Sequence, residues 1–498
     1  MQGIRSFGQV RSLHLPLAVS AERDFHMKKL SQRTLPLLLA GLLFAAASCA
    51  GSPTVDSGAA PDSPFPGGTP EAAVSDTEDR TAGLTASNEP ETSVSIKTEV
   101  KNMMDRPFSD KLSDGERVLL RDAREKLTLL AGEAGFTYAQ LLPSQISMGN
   151  SARVADVMRR SLAGESIRIG ILGDSIGEGA GASAADRSWA QRIRSYWNAS
   201  FHPVGREGNA DFVNASIGSN TLTHIVHRMG SDLLDRKPDI VFFSEWIFHD
   251  RTWDCRAFES ILYRLLDSGC AVVAVIVTGE NGANSTDDFT AVTAYYDIPT
   301  VSYAEAFDRA GFAFADYAVD TIHPNDRGYA GITAAIGLYL TSVLETLPEI
   351  PDEPYVMPAA PWQEKGRCFA DADVYGFSHP YPGWTVDTGS GFASGSVRLS
   401  DFRTYNGWRG TAGGDPLVIT VKGMENLSVL LCSGPDYGRC TVRIEDEAGR
   451  VLSESERDCS AGWVYAWPSG FLTDFDGRAV RITITPAGTV MVCGLMLS

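Results

Sequence analysis

Between residues 167 and 302, five short runs rich in β-branched and other apolar residues recur, separated by stretches whose apolar residues keep helical spacing. That alternation restricts the fold, because parallel strands need long crossovers and helices packed on the sheet supply them. Strands are expected near 167–172, 211–215, 239–245, 271–278 and 299–302, and helices near 187–198, 221–235, 254–268, 288–296 and 326–345. The run Ala271 to Val277 is apolar throughout, as a central strand covered on both faces must be. An α/β domain over 166–347 follows, a parallel sheet with helices on both faces.

The chain of 498 residues is too long for that domain alone. Met27 opens a charged and then apolar pattern: Lys28, Lys29 and Arg33 precede the run Leu35 to Ala47, which is shorter than the roughly 20 residues of a membrane span. Ala46-Ala47-Ser48-Cys49 resembles the lipobox of bacterial lipoproteins, which implies cleavage before Cys49, a lipid on its thiol and a membrane anchor; ordinary secretory cleavage is the alternative. Residues 1–49 are thus read as an extension and signal segment. Residues 50–105, rich in Pro, Ser, Thr, Gly, Ala and acidic residues, are expected to be a disordered tether. A helical lead-in over 106–165 begins at the capping-box pattern Ser113-x-x-Glu116 and includes a second helix at 152–162.

After a Pro-rich linker the pattern changes to short alternating segments, and 355–498 reads as an antiparallel β-sandwich with strands near 416–421, 427–432, 440–445 and 480–485. Trp384, Tyr405, Trp408, Trp463 and Trp467 are either sandwich core or platforms for sugar rings. Of eight cysteines, Cys255 and Cys270 bracket one helix and fall out of bridging range, whereas Cys432 and Cys440 flank a turn and are placed to pair across a hairpin.

Ser175 follows the first strand of the α/β domain, at the sheet end where open α/β folds present groups to a ligand. The glycines 177, 179 and 181 are spaced G-x-G-x-G, a poor match to a dinucleotide fingerprint, and a serine there also suits a helix cap. Far downstream, Asp320 and His323 stand three residues apart, so the aspartate can hold one imidazole nitrogen while the other faces a serine. His224 and His227 share a helix face without an acidic or cysteine cluster to complete a metal site, and are expected to be solvent-exposed. A net charge of −19 with no basic face argues against a nucleic-acid partner.

Taken together, Gly173-Asp174-Ser175, Asn214-Ala-Ser-Ile-Gly218 and Asp320-Thr-Ile-His323-Pro resemble the blocks of SGNH, or GDSL-type, hydrolases over residues 165–346. The resemblance implies a flavodoxin-like α/β sheet, Ser175 as nucleophile, His323 as base and Asp320 as its orienter. It further implies an oxyanion hole formed by the backbone N–H groups of Ser175 and Gly218 with an asparagine side chain. One block departs: His249 stands where that asparagine should be, and an imidazole donates only in the right tautomer or charge state. No cofactor is implied. The expected activity is an extracytoplasmic serine esterase releasing acyl, chiefly acetyl, groups from small esters or carbohydrate polymers. Its rivals are acyl transfer through the same acyl-serine and a polysaccharide-binding lipoprotein with reduced catalysis.

Overall fold

The computed structural model describes residues 107–245, 251–282, 284, 286–473, 475 and 477–498, all within one contact unit. Cys49, the signal segment, the tether and His249 lie outside the described residues.

The first sheet holds β1 (Gln145–Ser147), β2 (Arg168–Leu172), β3 (Asp211–Asn214), β4 (Ile240–Glu245), β5 (Ala271–Ile276) and β6 (Thr300–Ser302) in the order β1-β6-β5-β4-β2-β3. All five expected strands pair in parallel, and the order around β2 is that of a flavodoxin-like sheet. Only β1 is antiparallel; its three residues carry no periodicity from which to read it. Side chains of period two sort each central strand between two cores. Ile240 and Phe242 of β4 face one, Val241 and Phe243 the other, and β5 repeats the split with Val273 and Val275 against Val272 and Ala274.

Helices cover both faces. Besides the single turn Tyr138–Leu141, in chain order they are α1 (Asp114–Ala134), α2 (Ala152–Leu162), the single turn α3 (Ser175–Glu178), α4 (Trp189–Ser200), α5 (Leu222–Asp232), α6 (Arg251–Asp267), α7 (Thr286–Tyr295), α8 (Tyr303–Ala310) and α9 (Asp326–Thr346). Ser113 and Glu116 form the expected capping box of α1. α9 opens the stretch Asp326–Glu349, which is long and apolar enough to cross a membrane by length and composition, yet 83% of its most apolar window is buried inside the protein. Packing explains this: α1, α4 and strands β1 and β6 all pack on α9, and Arg124 of α1 meets Glu345 of α9 at 2.7 Å. A helix apolar all round is a core helix here.

Beyond the Pro-rich segment lie two antiparallel sheets. One runs β15 (Tyr465–Pro468), β12 (Leu427–Ser433), β17 (Val490–Leu497), β10 (Thr404–Gly410) and β9 (Phe392–Arg398), with β7 (Asp373–Tyr375) paired to β17. The other runs β14 (Val451–Asp458), β13 (Arg439–Asp446), β16 (Val480–Pro486), β11 (Leu417–Val421) and β8 (Thr385–Asp387). Cys432 and Cys440 therefore sit on strands of opposite sheets and do not face each other across a hairpin; the described cysteines are free thiols. Trp408 is buried between the sheets with Trp384 packed against it, so two of the five aromatic candidates serve the sandwich interior, while buried Tyr405 belongs to the cluster on the other face of its sheet and reaches α5.

The sandwich is docked on α5 and α6. Buried Glu259 of α6 accepts hydrogen bonds from the Tyr296 hydroxyl (2.8 Å) and the Trp362 N–H (2.5 Å), and Ser260 donates to the Gly366 carbonyl (2.9 Å). Phe369 and Ala372 then enter the core of the α/β domain beside Phe258 and Ile261. This docking corrects the expectation for His224 and His227, which are fully buried rather than exposed. His224 Nε2 bonds the Tyr405 hydroxyl at 2.7 Å, and His227 Nδ1–H donates to the Thr223 carbonyl at 2.6 Å. Burial disfavours both imidazolium forms and pushes His227 down to about 3.

Candidate active site

β2 ends at Leu172, and the chain turns sharply at Gly173. A Cβ there would stand 2.3 Å from the Ser244 carbonyl oxygen near the end of β4, so only glycine lets the two strand ends approach this closely. The helix cap that follows is Asp174, whose carboxylate accepts from the Ile176 N–H at 2.8 Å. Ser175 is therefore not the capping residue, and its hydroxyl is turned to another partner.

That partner is His323. Its Nε2 lies 2.9 Å from Ser175 Oγ, and its Nδ1 lies 2.7 Å from Asp320 Oδ2. The other carboxylate oxygen of Asp320 accepts from the N–H groups of Ile322 (2.8 Å) and His323 (2.7 Å), which folds the Asp-x-x-His segment into a tight turn. Burial raises the Asp320 carboxyl, but the bonds from the His323 N–H, the imidazole and the Ile322 N–H outweigh it and hold the group below its ordinary value. The turn is stitched to the serine loop. Ser183 donates to both oxygens of Asp326, at 2.8 Å through its N–H and 2.5 Å through its hydroxyl, and Tyr329 donates to the Ala180 carbonyl at 2.6 Å. Gly181, with φ of +91°, completes the seam: a side chain there would meet the Pro324 carbonyl oxygen at 2.5 Å.

Gly218 also reaches the serine; a Cβ on it would lie 3.5 Å from Ser175 Cβ. Its loop is held by Asn214, which donates to the Gly177 carbonyl (2.9 Å) and accepts from the Ser216 N–H (3.0 Å). The Gly218 N–H itself donates to Glu178 Oε2 at 2.8 Å, a contact that no motif announces. Burial raises the Glu178 carboxyl despite that bond and the nearby Arg228 charge. Ser175, Gly218, Asp320 and His323 are thus brought together, while His249 lies outside the described residues.

Above the serine opens a cleft of about 580 Å³ whose far wall is the sandwich. Ser175, Ile322 and His323 line one side; Trp463, Tyr465, Trp467, Glu456 and Asp458 line the other. Trp463 donates from its indole N–H to Ser219 Oγ at 3.2 Å and is still 64% exposed. Two of the five aromatic candidates, Trp463 and Trp467, therefore face the cleft together with Tyr465, which pattern reading passes over.

Residues 171–330 match the model of the GDSL-like lipase/acylhydrolase family. Those residues thus form a GDSL-like acylhydrolase domain, which supports a carboxylic ester hydrolase. Among solved structures, the chain is similar to a two-domain esterase (CEX) active on acetylated mannans, at 20% identity and a TM-score of 0.59 over 72% of this chain and 98% of that one. The same two-domain esterase co-crystallised with mannopentaose aligns at 21% identity and a TM-score of 0.58 over 70% of this chain and 95% of that one. At such identity the likeness concerns the fold, in both domains. No match was found among curated proteins.

Proposed function

We propose that the protein is an extracytoplasmic, lipid-anchored serine esterase that removes acetyl groups from a carbohydrate polymer. The observation that carries the reading is the line Asp320–His323–Ser175, with spacings of 2.7 and 2.9 Å, at the floor of a cleft walled by Trp463, Tyr465 and Trp467. In this mechanism His323 Nε2 takes the proton of Ser175 as Oγ attacks the ester carbonyl. The imidazolium, steadied by Asp320, then protonates the departing sugar hydroxyl, and water releases the acyl group by the reverse sequence. The backbone N–H groups of Ser175 and Gly218 serve the oxyanion, with His249 as third donor in place of an asparagine. The acyl oxygen must displace the Glu178 carboxylate from the Gly218 N–H, since two anionic oxygens cannot share that donor.

Supporting the carbohydrate class are the exposed indoles beside the acidic residues Glu456 and Asp458, a set that offers stacking faces and acceptors for sugar hydroxyls. The fold shared with an esterase active on acetylated mannans points the same way. The test is kinetic. Trp463→Ala and Trp467→Ala should each lower kcat/KM on an acetylated oligosaccharide about tenfold, the size of one lost stacking contact, while kcat/KM on 4-nitrophenyl acetate stays within about twofold. Equal losses on both substrates would refute the sugar-platform role. For the anchor, protein expressed from Met27 should partition with membranes, and Cys49→Ser should release it into the soluble fraction.

A further inference from the structure

Arg228 of α5 is fully buried in the hydrolase domain, and none of its polar atoms takes part in the chemistry above. Its guanidinium nevertheless reaches both loops of the site. Nη2 donates to the Gly173 carbonyl (3.3 Å), two residues before Ser175, and Nη1 to the Ala215 carbonyl (2.5 Å), three residues before Gly218. Nε donates to Asn220 Oδ1 (2.7 Å), and the amide of Asn220 in turn donates to the Gly218 carbonyl (3.2 Å). One planar cation thus fixes the strand end that presents the serine and the turn that presents the Gly218 N–H.

A buried guanidinium needs a counter-charge, because burial alone disfavours its charged form. Asp232, one helical turn further along α5 and 4% exposed, supplies it at 3.0 Å. The second oxygen of Asp232 is held from the sandwich: Arg403 Nη2 lies 3.2 Å from Asp232 Oδ1 and 3.1 Å from Ser231 Oγ. Arg403 also stacks over Tyr405, 4.8 Å from the ring centroid, and the Tyr405 hydroxyl bonds His224 of α5. The chain Gly173/Ala215/Asn220–Arg228–Asp232–Arg403 therefore runs from the sandwich to the catalytic loops without a break, and none of its three charged members lines the cleft.

We infer that Arg228 is a positioning residue for the nucleophile and oxyanion loops, and that Arg403 completes it from the sandwich by orienting Asp232. The inference rests on the esterase reading above. It makes the sandwich part of the catalytic apparatus for every ester, small ones included, in addition to its role as a cleft wall. Lysine cannot replace Arg228, because one ammonium does not span two carbonyls, an amide oxygen and a carboxylate in a single plane.

The test uses the full chain and 4-nitrophenyl acetate, a probe too small to need the sandwich wall. Arg228→Lys should lower kcat about a hundredfold, the cost of roughly 1 Å of misplacement at a reacting centre, and Arg403→Ala about tenfold, each with KM within about twofold. Arg403→Lys, which keeps a charge near Asp232, should recover most of the loss. Phosphonylation of Ser175 by a fluorophosphonate, which also places an oxygen among the oxyanion donors, should slow in parallel. Variants that melt at lower temperature but retain wild-type kcat where folded would overturn the inference and leave the network a staple between domains. Should Arg228→Lys fail to fold, the kcat of Arg403→Ala and its recovery in Arg403→Lys decide the matter. Failure of the esterase reading looks different: wild type would not hydrolyse the probe, or Ser175→Ala would match it.

Discussion

Replacing Ser175 with alanine should reduce turnover of 4-nitrophenyl acetate on the order of 10⁴- to 10⁶-fold while leaving the melting temperature near that of wild type. The kinetic loss follows from the chemistry: without Oγ no acyl-enzyme forms, and the residual rate is what bound water achieves beside the remaining donors. Thermal stability is spared because little rests on the hydroxyl. Asp174 caps the turn, and Ile176 and Trp189 pack beneath it, with the Trp189 indole donating to the Ile176 carbonyl at 3.0 Å. Turnover in Ser175→Ala equal to wild type, measured on protein free of other esterases, would refute the nucleophile assignment. The variant also serves the inference about Arg228, since its residual rate sets the floor below which no positioning effect can be read.

How far the sequence announces this site depends on the distance over which each part is determined. Strands β2, β4, β5 and β6 are legible because burial demands β-branched apolar runs, which are local properties, and the half-buried edge strand β3 shows only its Phe212-Val213 pair. Asp320 and His323 are legible because one tight turn must place a carboxylate on an imidazole, again within a few residues. The cleft is not local: Trp463 meets Ser219 across 244 positions, and no spacing records that. His224 and His227 read as surface residues because the domain that buries them begins more than a hundred residues later. Arg228 left one usable trace. It falls three residues after Ile225 on the apolar face of α5, and an arginine at a core-facing position calls for buried partners. β14 left none, since Val451–Asp458 is an edge strand of alternating serines and charges.

Asp320→Asn should lower kcat on the same ester about 10⁴-fold, nearly as far as losing the nucleophile, although Asp320 never touches the substrate. The reason lies in the proton on His323. A carboxylate at Nδ1 accepts a hydrogen bond and so selects the tautomer in which Nε2 is free to take the serine proton. An amide can present its NH₂ to Nδ1 instead, which favours the tautomer with its proton on Nε2, facing Ser175. The substitution also removes the negative charge that steadies the imidazolium in the transition state. Folding is affected less, because the amide oxygen can still accept from the Ile322 and His323 N–H groups that close the turn. The linkage has a definite sign. Because the folded protein holds the Asp320 carboxyl below its ordinary value, this group adds stability at pH above the unfolded carboxyl range, and the increment disappears as pH falls through the lowered folded value. Wild type should therefore be more stable than Asp320→Asn at neutral pH, and the two melting curves should converge in acid. A kcat for Asp320→Asn within tenfold of wild type would mean that the imidazole is oriented by some other group, and the role given to Asp320 would fall.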